Sequence, residues 1–483
     1  MPRVIFLHGW SVTNTDTYGE LPSRLVREAE AQNIDISVQH IYLGRYVSFQ
    51  DEVRVPDLAF AMEHAVATEG LSNGERFYCI THSTGGPVVR EWVERYHRAK
   101  SGCPMSHLVM LAPANFGSAL ATLGKSRVGR LKAWLNGVEP GQGVLDWLCL
   151  GSSEANALNL AWIREGEELI GPEQVFPFVL SGQTIDRKLY DNLNSYTGEP
   201  GSDGVVRVAS ANLNASYAVL KQSGLPDAKK FSVLELAQPV ARPPAVPFRV
   251  IKGASHSGTD SGIMRSVAAN LGGAGEEVVK AILRCLSVTT RAGYDELAAQ
   301  FIEETRAVQE EERVERVKSV FQTTREFVHD RYAQLIFRVR DSDGQAVPDF
   351  DLLLTAGSKS SPNHLPEGFF QDRQANQQTR GVITYYLNYD ILVGGAEIPG
   401  VREGNKGVEG LGLELHPRPE DGFVHFRKCR APASSELLSQ LVRPNETTFI
   451  DILLTRVVHD EVLRLDPTTT PKPIPKKPGP AIN

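Results

Sequence analysis

The 483-residue chain has no hydrophobic run of the roughly 20 residues that a membrane-spanning helix needs. Any membrane contact is therefore expected to be peripheral. The opening residues, Pro2-Arg3-Val4-Ile5-Phe6-Leu7-His8-Gly9, hold an apolar stretch too short for the core of a secretory signal. The expectation is a soluble chain made in the cytoplasm. Cysteine is scarce: Cys79, Cys103, Cys149, Cys285 and Cys429 form no CxxC pair and no Cys/His ligand spacing, and an odd number cannot all pair within one chain. This argues against a disulfide framework and against a zinc site. An excess of positive charge is also missing, since 51 Lys and Arg stand against 58 Asp and Glu for a net charge of -7, so nucleic acid is not an expected partner.

What is present is enough apolar material, 41% of the residues, and enough length for two domains. From residue 1 to about 290, short apolar runs alternate with helical patterns: Val4–Leu7, Ile34–Ile41, Phe77–Ile80, Leu108–Ala112, Val175–Leu180 and Phe248–Ile251, each followed by a breaking residue. This is the pattern of a mostly parallel sheet with helices on both faces. The strand rhythm stops between Ala119 and Ile170, where Trp134, Trp147 and Trp162 fall in a helical stretch. Residues 119–170 read either as a helical cap over an apolar site or as a helical excursion packed on the core. Residues 291–331 are dominated by charge, with Leu297, Phe301, Val308, Val314 and Val317 at helix-like spacing, and read as a connecting helix. Residues 332–460 read as short strands between Gly-, Pro- and Asp-rich turns, an all-β, sandwich-like domain. The tail, 461–483, is too rich in Pro and Lys to fold alone and is expected to be disordered.

The segment Phe77-Tyr78-Cys79-Ile80-Thr81-His82-Ser83-Thr84-Gly85-Gly86-Pro87 reads as a strand, a sharp turn and a helix. It resembles the nucleophile elbow of the α/β hydrolases, with Gly85 the expected small neighbour and Thr81 standing where that family usually has glycine. The same resemblance covers Phe6-Leu7-His8-Gly9-Trp10, Leu111-Ala112-Pro113-Ala114-Asn115-Phe116-Gly117-Ser118, Gly201-Ser202-Asp203-Gly204-Val205-Val206 and Gly253-Ala254-Ser255-His256-Ser257-Gly258, in the family's order within residues 1–290. It implies an α/β-hydrolase fold with Ser83 as nucleophile, His256 as its base and Asp203 as the acid. The backbone N–H groups of Trp10 and Thr84 would form the oxyanion hole, and His8, Gly9 and Gly85 would support the loops. His82 is expected to point away from the serine. Asp186, Asp191 and Asp227 lie in the interval between Ser83 and His256 but lack the motif.

This chemistry cleaves an ester through an acyl-enzyme and needs neither a metal nor an organic cofactor. The whole chain looks like the antibacterial phospholipases delivered by type VI secretion. That likeness implies a (phospho)lipid substrate, peripheral membrane contact, an immunity or secretion-apparatus partner and export without a signal. Three alternatives remain open at this point: a cytoplasmic carboxylesterase or lysophospholipase, an acyltransferase, and a catalytically inactive binding scaffold.

Overall fold

The computed structural model describes residues 2–8, 15–47, 52–72, 74–98, 102–122, 141–185, 199–224, 231–268, 272–319 and 322–459. Trp134, the 461–483 tail, Asp186, Asp191 and Asp227 fall outside them. A six-stranded, wholly parallel sheet organises the first part of the chain. It runs β2 (Ser37–Tyr42), β1 (Arg3–His8), β3 (Phe77–His82), β4 (Met105–Leu111), β5 (Phe176–Ser181) and β8 (Phe248–Val250). Strands β4 and β5 are almost wholly buried, which is why they read as continuous apolar runs: a parallel strand covered on both faces has no polar side to alternate with.

Helices cover both faces. Helix α1 (Leu21–Ala31) packs with α6 (Gly273–Leu286), and α2 (Val55–Thr68) packs with α3 (Gly85–Trp92). In α6 the buried Val278, Val279, Ile282 and Leu286 recur at helical spacing, while Glu276, Glu277, Lys280 and Arg284 keep the other side partly exposed. The described part of the 119–170 insertion includes α4 (Gln142–Leu148) and α5 (Ser153–Arg164). Trp147 and Trp162 are 2% and 3% exposed and belong to the main core. Over residues 141–170 these two side chains pack the insertion onto the core.

The charged stretch after residue 290 differs from a solvated connector. Helix α7 (Arg291–Glu311) buries Tyr294, Leu297, Ala298, Phe301, Thr305 and Gln309 and packs along edge strand β8. Thr305 Oγ1 accepts from Val250 N at 3.0 Å, giving an amide of that edge a partner. The helix ends at Glu311, and β9 (Val314–Ser319) and β10 (Gln322–Val328) form an antiparallel pair. The valines at 314 and 317 therefore lie on a strand and not on the expected helix.

The β-rich remainder is a nine-stranded mixed sheet whose strands do not divide from the first sheet at residue 290. Its order is β12 (Phe350–Ala356), β15 (Leu411–Pro417), β17 (Cys429–Ala431), β7 (Ser232–Leu236), β6 (Ser216–Ser223), β18 (Thr447–Leu454), β11 (Tyr332–Asp341), β14 (Val382–Asn388) and β13 (Phe370–Ala375). Strands β6 and β7 precede residue 290, yet β6 pairs in parallel with β18, and β7 in parallel with β17. The reason is a pairing requirement. Among the described residues β6 and β7 have no partner in the parallel sheet, and their backbone groups are satisfied by the C-terminal strands.

The two sheets are pinned together by the segment Glu199–Val208. Gly201, at φ +70°, lies so close to the second sheet that a Cβ would meet Tyr332 at 2.3 Å and the Tyr386 hydroxyl at 2.5 Å. Tyr386 donates that hydroxyl to the carbonyls of Pro200 and Gly201 at 3.1 and 3.0 Å, and its ring stacks on Tyr332. Arg207, 1% exposed, donates to Gln334 Oε1 at 3.2 Å and Glu199 Oε1 at 2.5 Å, pairs with Asp372, and lies 4.1 Å from the Tyr386 ring centre. Burial works against its charge, but Glu199, Tyr386 and Asp372 outweigh it and hold the guanidinium above its usual range. Removing one member of a buried ion cluster strands the others. Arg207→Met is expected to lower stability by about 3 kcal/mol, read as a drop in the urea midpoint; an unchanged midpoint would show that the cluster is not what joins the sheets.

Candidate active site

The site lies at the carboxyl ends of the parallel strands, where the connecting loops of such a sheet converge. Ser83 follows β3 and opens α3. It has φ +54°, a left-handed conformation rare for a residue with a Cβ, and the turn is held by Ser83 N donating to Leu111 O at 3.0 Å and Ala114 N donating to Ser83 O at 3.3 Å. The end of β4 and the segment after it thus fix the turn from beside. Thr84 occupies the N-cap of α3, where a helix leaves its first amides without intrahelical acceptors and favours negative charge.

Thr81 and Gly85 explain how the elbow accepts a threonine. A Cβ on Gly85 would lie 3.1 Å from Thr81 Cβ, so the strand and the helix approach closely enough that one of the two positions must stay small. Here the glycine after the serine supplies the space. Thr81 is wholly buried and its hydroxyl has no hydrogen-bond partner, a cost that glycine at that position would not carry.

His256 stands between the other two predicted residues. Its Nε2 is 3.2 Å from Ser83 Oγ and its Nδ1 is 2.9 Å from Asp203 Oδ2. The main chain joins the same pair, with His256 N donating to Asp203 O at 2.9 Å. Asp203 Oδ1 accepts from Val205 N at 3.0 Å and Val206 N at 2.8 Å, so each carboxylate oxygen has a donor. That arrangement leaves one orientation for the imidazole. Ser83 is 6% exposed and His256 and Asp203 are each 1% exposed.

His8, at the end of β1, is buried and bonds through Nε2 to His40 Nδ1 at 2.9 Å, stacked on Tyr42 and edge-on to Tyr18. Burial, and then the neighbouring His40, lower its pKa to about 3, so it is a neutral, structural histidine. Gly9 and Trp10 lie outside the described residues. For His82 the sequence predicts only that it points away from the serine, with no part in the site. Its ring packs 4.7 Å from that of His256, and its Nε2 lies 3.1 Å from His256 O; burial keeps it uncharged, so that nitrogen donates to the carbonyl. The available signal was its position beside Ser83, which placed it at the end of a buried strand. Among the described residues no cluster of His, Cys, Asp or Glu has the arrangement of a metal site.

No protein-family model matches the chain, and no curated protein does. Among solved structures, the fold and its sequence match phospholipase PlaB from Legionella pneumophila, with 42% identity over 99% of both chains and a TM-score of 0.83. The same phospholipase in complex with thio-NAD matches with the same figures. The chain is thus an ester hydrolase with the α/β-hydrolase fold. Within that class it belongs to the family of phospholipase PlaB.

Two outcomes follow from this geometry. Gly85→Ala should cost about 1–2 kcal/mol, the price of overpacking a close contact. In a double-mutant cycle with Thr81→Gly about 1 kcal/mol of that loss should be recovered; strict additivity in urea unfolding would mean that the two positions do not share the space. The second concerns acid. His8 in the folded chain resists a proton until about pH 3, whereas an unfolded histidine takes one near 6.5. Between those values the unfolded state binds more protons, so stability present above pH 6.5 is lost as pH falls toward 3. His8→Gln should flatten the fall in unfolding midpoint between pH 7 and 4, and an unaltered slope would remove His8 from the account.

Proposed function

We propose that the chain is a phospholipase that hydrolyses acyl esters of membrane phospholipids, with Ser83 as nucleophile, His256 as general base and acid, and Asp203 as the group that orients and balances the imidazole. The observation that carries this reading is the single imidazole bridging Ser83 Oγ and Asp203 Oδ2 at hydrogen-bond distance on both sides. His256 takes the serine proton as Ser83 Oγ attacks the ester carbonyl, and passes it to the departing alcohol as the tetrahedral intermediate collapses. Water then attacks the acyl-enzyme, giving its proton to His256, which returns it to Ser83 as the fatty acid leaves.

The developing oxyanion would be met by Thr84 N–H at the N-cap of α3 and by a second amide from the loop after β1, the position of Trp10. The phospholipid substrate is argued from the 42% identity to a phospholipase along the full chain. Delivery by a type VI apparatus, or capture by an immunity protein, rests on the sequence resemblance alone. The chemistry is the same by either route.

Fatty acid release from phospholipid vesicles and from a short soluble ester separates the readings. Wild-type protein should act on vesicles, and Ser83→Ala should lower the rate by at least about 10³-fold. Activity confined to the short ester would turn the reading to a carboxylesterase. Ester product formed from an added alcohol in preference to fatty acid would make it an acyltransferase. A folded wild-type protein inactive in all three assays would leave a binding scaffold.

A further inference from the structure

The nucleophile and the base are anchored from two different directions. Ser83 hangs on β4: its N donates to Leu111 O at 3.0 Å, and Leu111 is also the β4 residue in register with His82, the last residue of β3. His256 hangs on the loop of the acid, through its own N to Asp203 O at 2.9 Å and through Nδ1 to Asp203 Oδ2 at 2.9 Å. Residues 253–258 belong to no strand or helix. Gly253 and Gly258 have φ +67° and +112°, and Ser255 N donates to Ser261 O at 2.8 Å within the same loop. A proton passes between Ser83 Oγ and His256 Nε2 only while these separately held groups stay within hydrogen-bond reach.

His82 spans the two anchorages. Its main chain ends β3, in ladder with β4, and its Nε2–H donates across to His256 O at 3.1 Å. Its ring packs against the His256 ring, 4.7 Å between centres and tilted by 51°, so the same side chain holds the carbonyl and closes one side of the imidazole. Burial, and then the neighbouring His256, keep the His82 pKa well below the usual histidine range, against the smaller pull of the hydrogen bond to that carbonyl. A neutral His82 places no second positive charge beside His256 when the latter takes the serine proton.

We propose that His82 is a positioning residue for the hydrolysis: it ties the loop of the base to the strand that carries the nucleophile, and so sets the separation of Ser83 Oγ and His256 Nε2, 3.2 Å here. This role rests on Ser83 and His256 being the reacting pair. A catalytic group is held in place by side chains mounted on rigid elements, and β3 supplies that mounting for a base that sits on a loop. Acylation and deacylation use the same Nε2, so loss of the tie slows both. It acts on the chemical steps and not on ester binding.

A soluble chromogenic ester separates kcat from KM. His82→Phe keeps a ring and removes the donor, and should lower kcat about 10- to 100-fold with KM within about twofold of wild type, the effect of a misplaced base. Labelling of Ser83 by an organophosphonate should slow in parallel, because it draws on the same proton transfer. His82→Gln and His82→Asn carry one amide at two reaches: the glutamine nitrogen falls near the place of Nε2, the asparagine nitrogen near that of Nδ1. Glutamine should therefore recover most of the lost kcat, and asparagine should not. Equal rates for the two amides, a wild-type kcat in His82→Phe, or a rise in KM alone overturns the proposal. If thermal unfolding shows that His82→Phe does not fold, the comparison of the two amides decides it. An active Ser83→Ala would instead remove the reading on which the role rests.

Discussion

The contact on which the architecture turns is the burial of Arg207 between the two sheets. A guanidinium shut away from water needs its charge balanced and its donors filled, and Glu199, Asp372 and Gln334 do this from both sides of the junction. Glu199 belongs to the segment before the acid; Gln334 and Asp372 belong to β11 and β13. Between Glu199 and Arg207 lies Asp203, so the loop that presents the carboxylate to His256 is clamped at each end by the second sheet. The β-rich part of the chain therefore acts as a wall of the catalytic region. Its geometry decides where Asp203 stands.

The histidines show how one side-chain type is given different work by its surroundings. His8, His82 and His107 are buried and pushed toward the neutral form, the last to about 4, by burial first of all. Each then fixes main chain or a neighbouring ring: His107 donates to Val288 O at 2.7 Å, tying β4 to the chain after α6. His256 differs in having a carboxylate on one nitrogen and a hydroxyl on the other, the pairing on which its proposed role rests. His82 supports it from below through the carbonyl, so two adjacent residues of β3 and its turn touch the same histidine by different means.

Much of this was legible in the residues, for physical reasons that also mark where reading stops. Strands β3, β4 and β5 are buried on both faces, so their apolar runs are continuous and their ends abrupt; Ser83, Asp203 and His256 each follow such a signal or sit in a small-residue turn. By contrast, the pattern of Ser216–Ser223 says strand without saying which sheet, because pairing partners are set by chain segments more than 200 residues away. The charge spread along α7 suggests a connecting helix, although Leu297 and Phe301 at helix spacing already mark part of the buried stripe that Tyr294 and Thr305 complete. The spacing of Val314 and Val317 suits a helix, but two valines three apart do not exclude the strand they form. Arg207 directly follows the Asp203 motif, but its role lies in a contact with Tyr386 and Asp372 that spacing does not encode.

The interleaving of the strands bears on how the molecule holds together. Strand β6 lies between β7 and β18, bonded antiparallel to one and parallel to the other, while the chain that enters and leaves this pair comes from β5 and β8 of the parallel sheet. A cut near residue 290 would leave β6 with an open edge on the side of β18 and remove the β11, β13 and β14 partners of the Asp203 loop. An unpaired edge next to a stranded arginine carries both of the penalties that folded proteins avoid, unsatisfied backbone and uncompensated charge. Parallel pairing between segments so far apart in sequence also delays the closure of the sheet until most of the chain is present. The two sheets are therefore parts of one cooperative structure, and the arrangement of Ser83, His256 and Asp203 is a property of the entire chain.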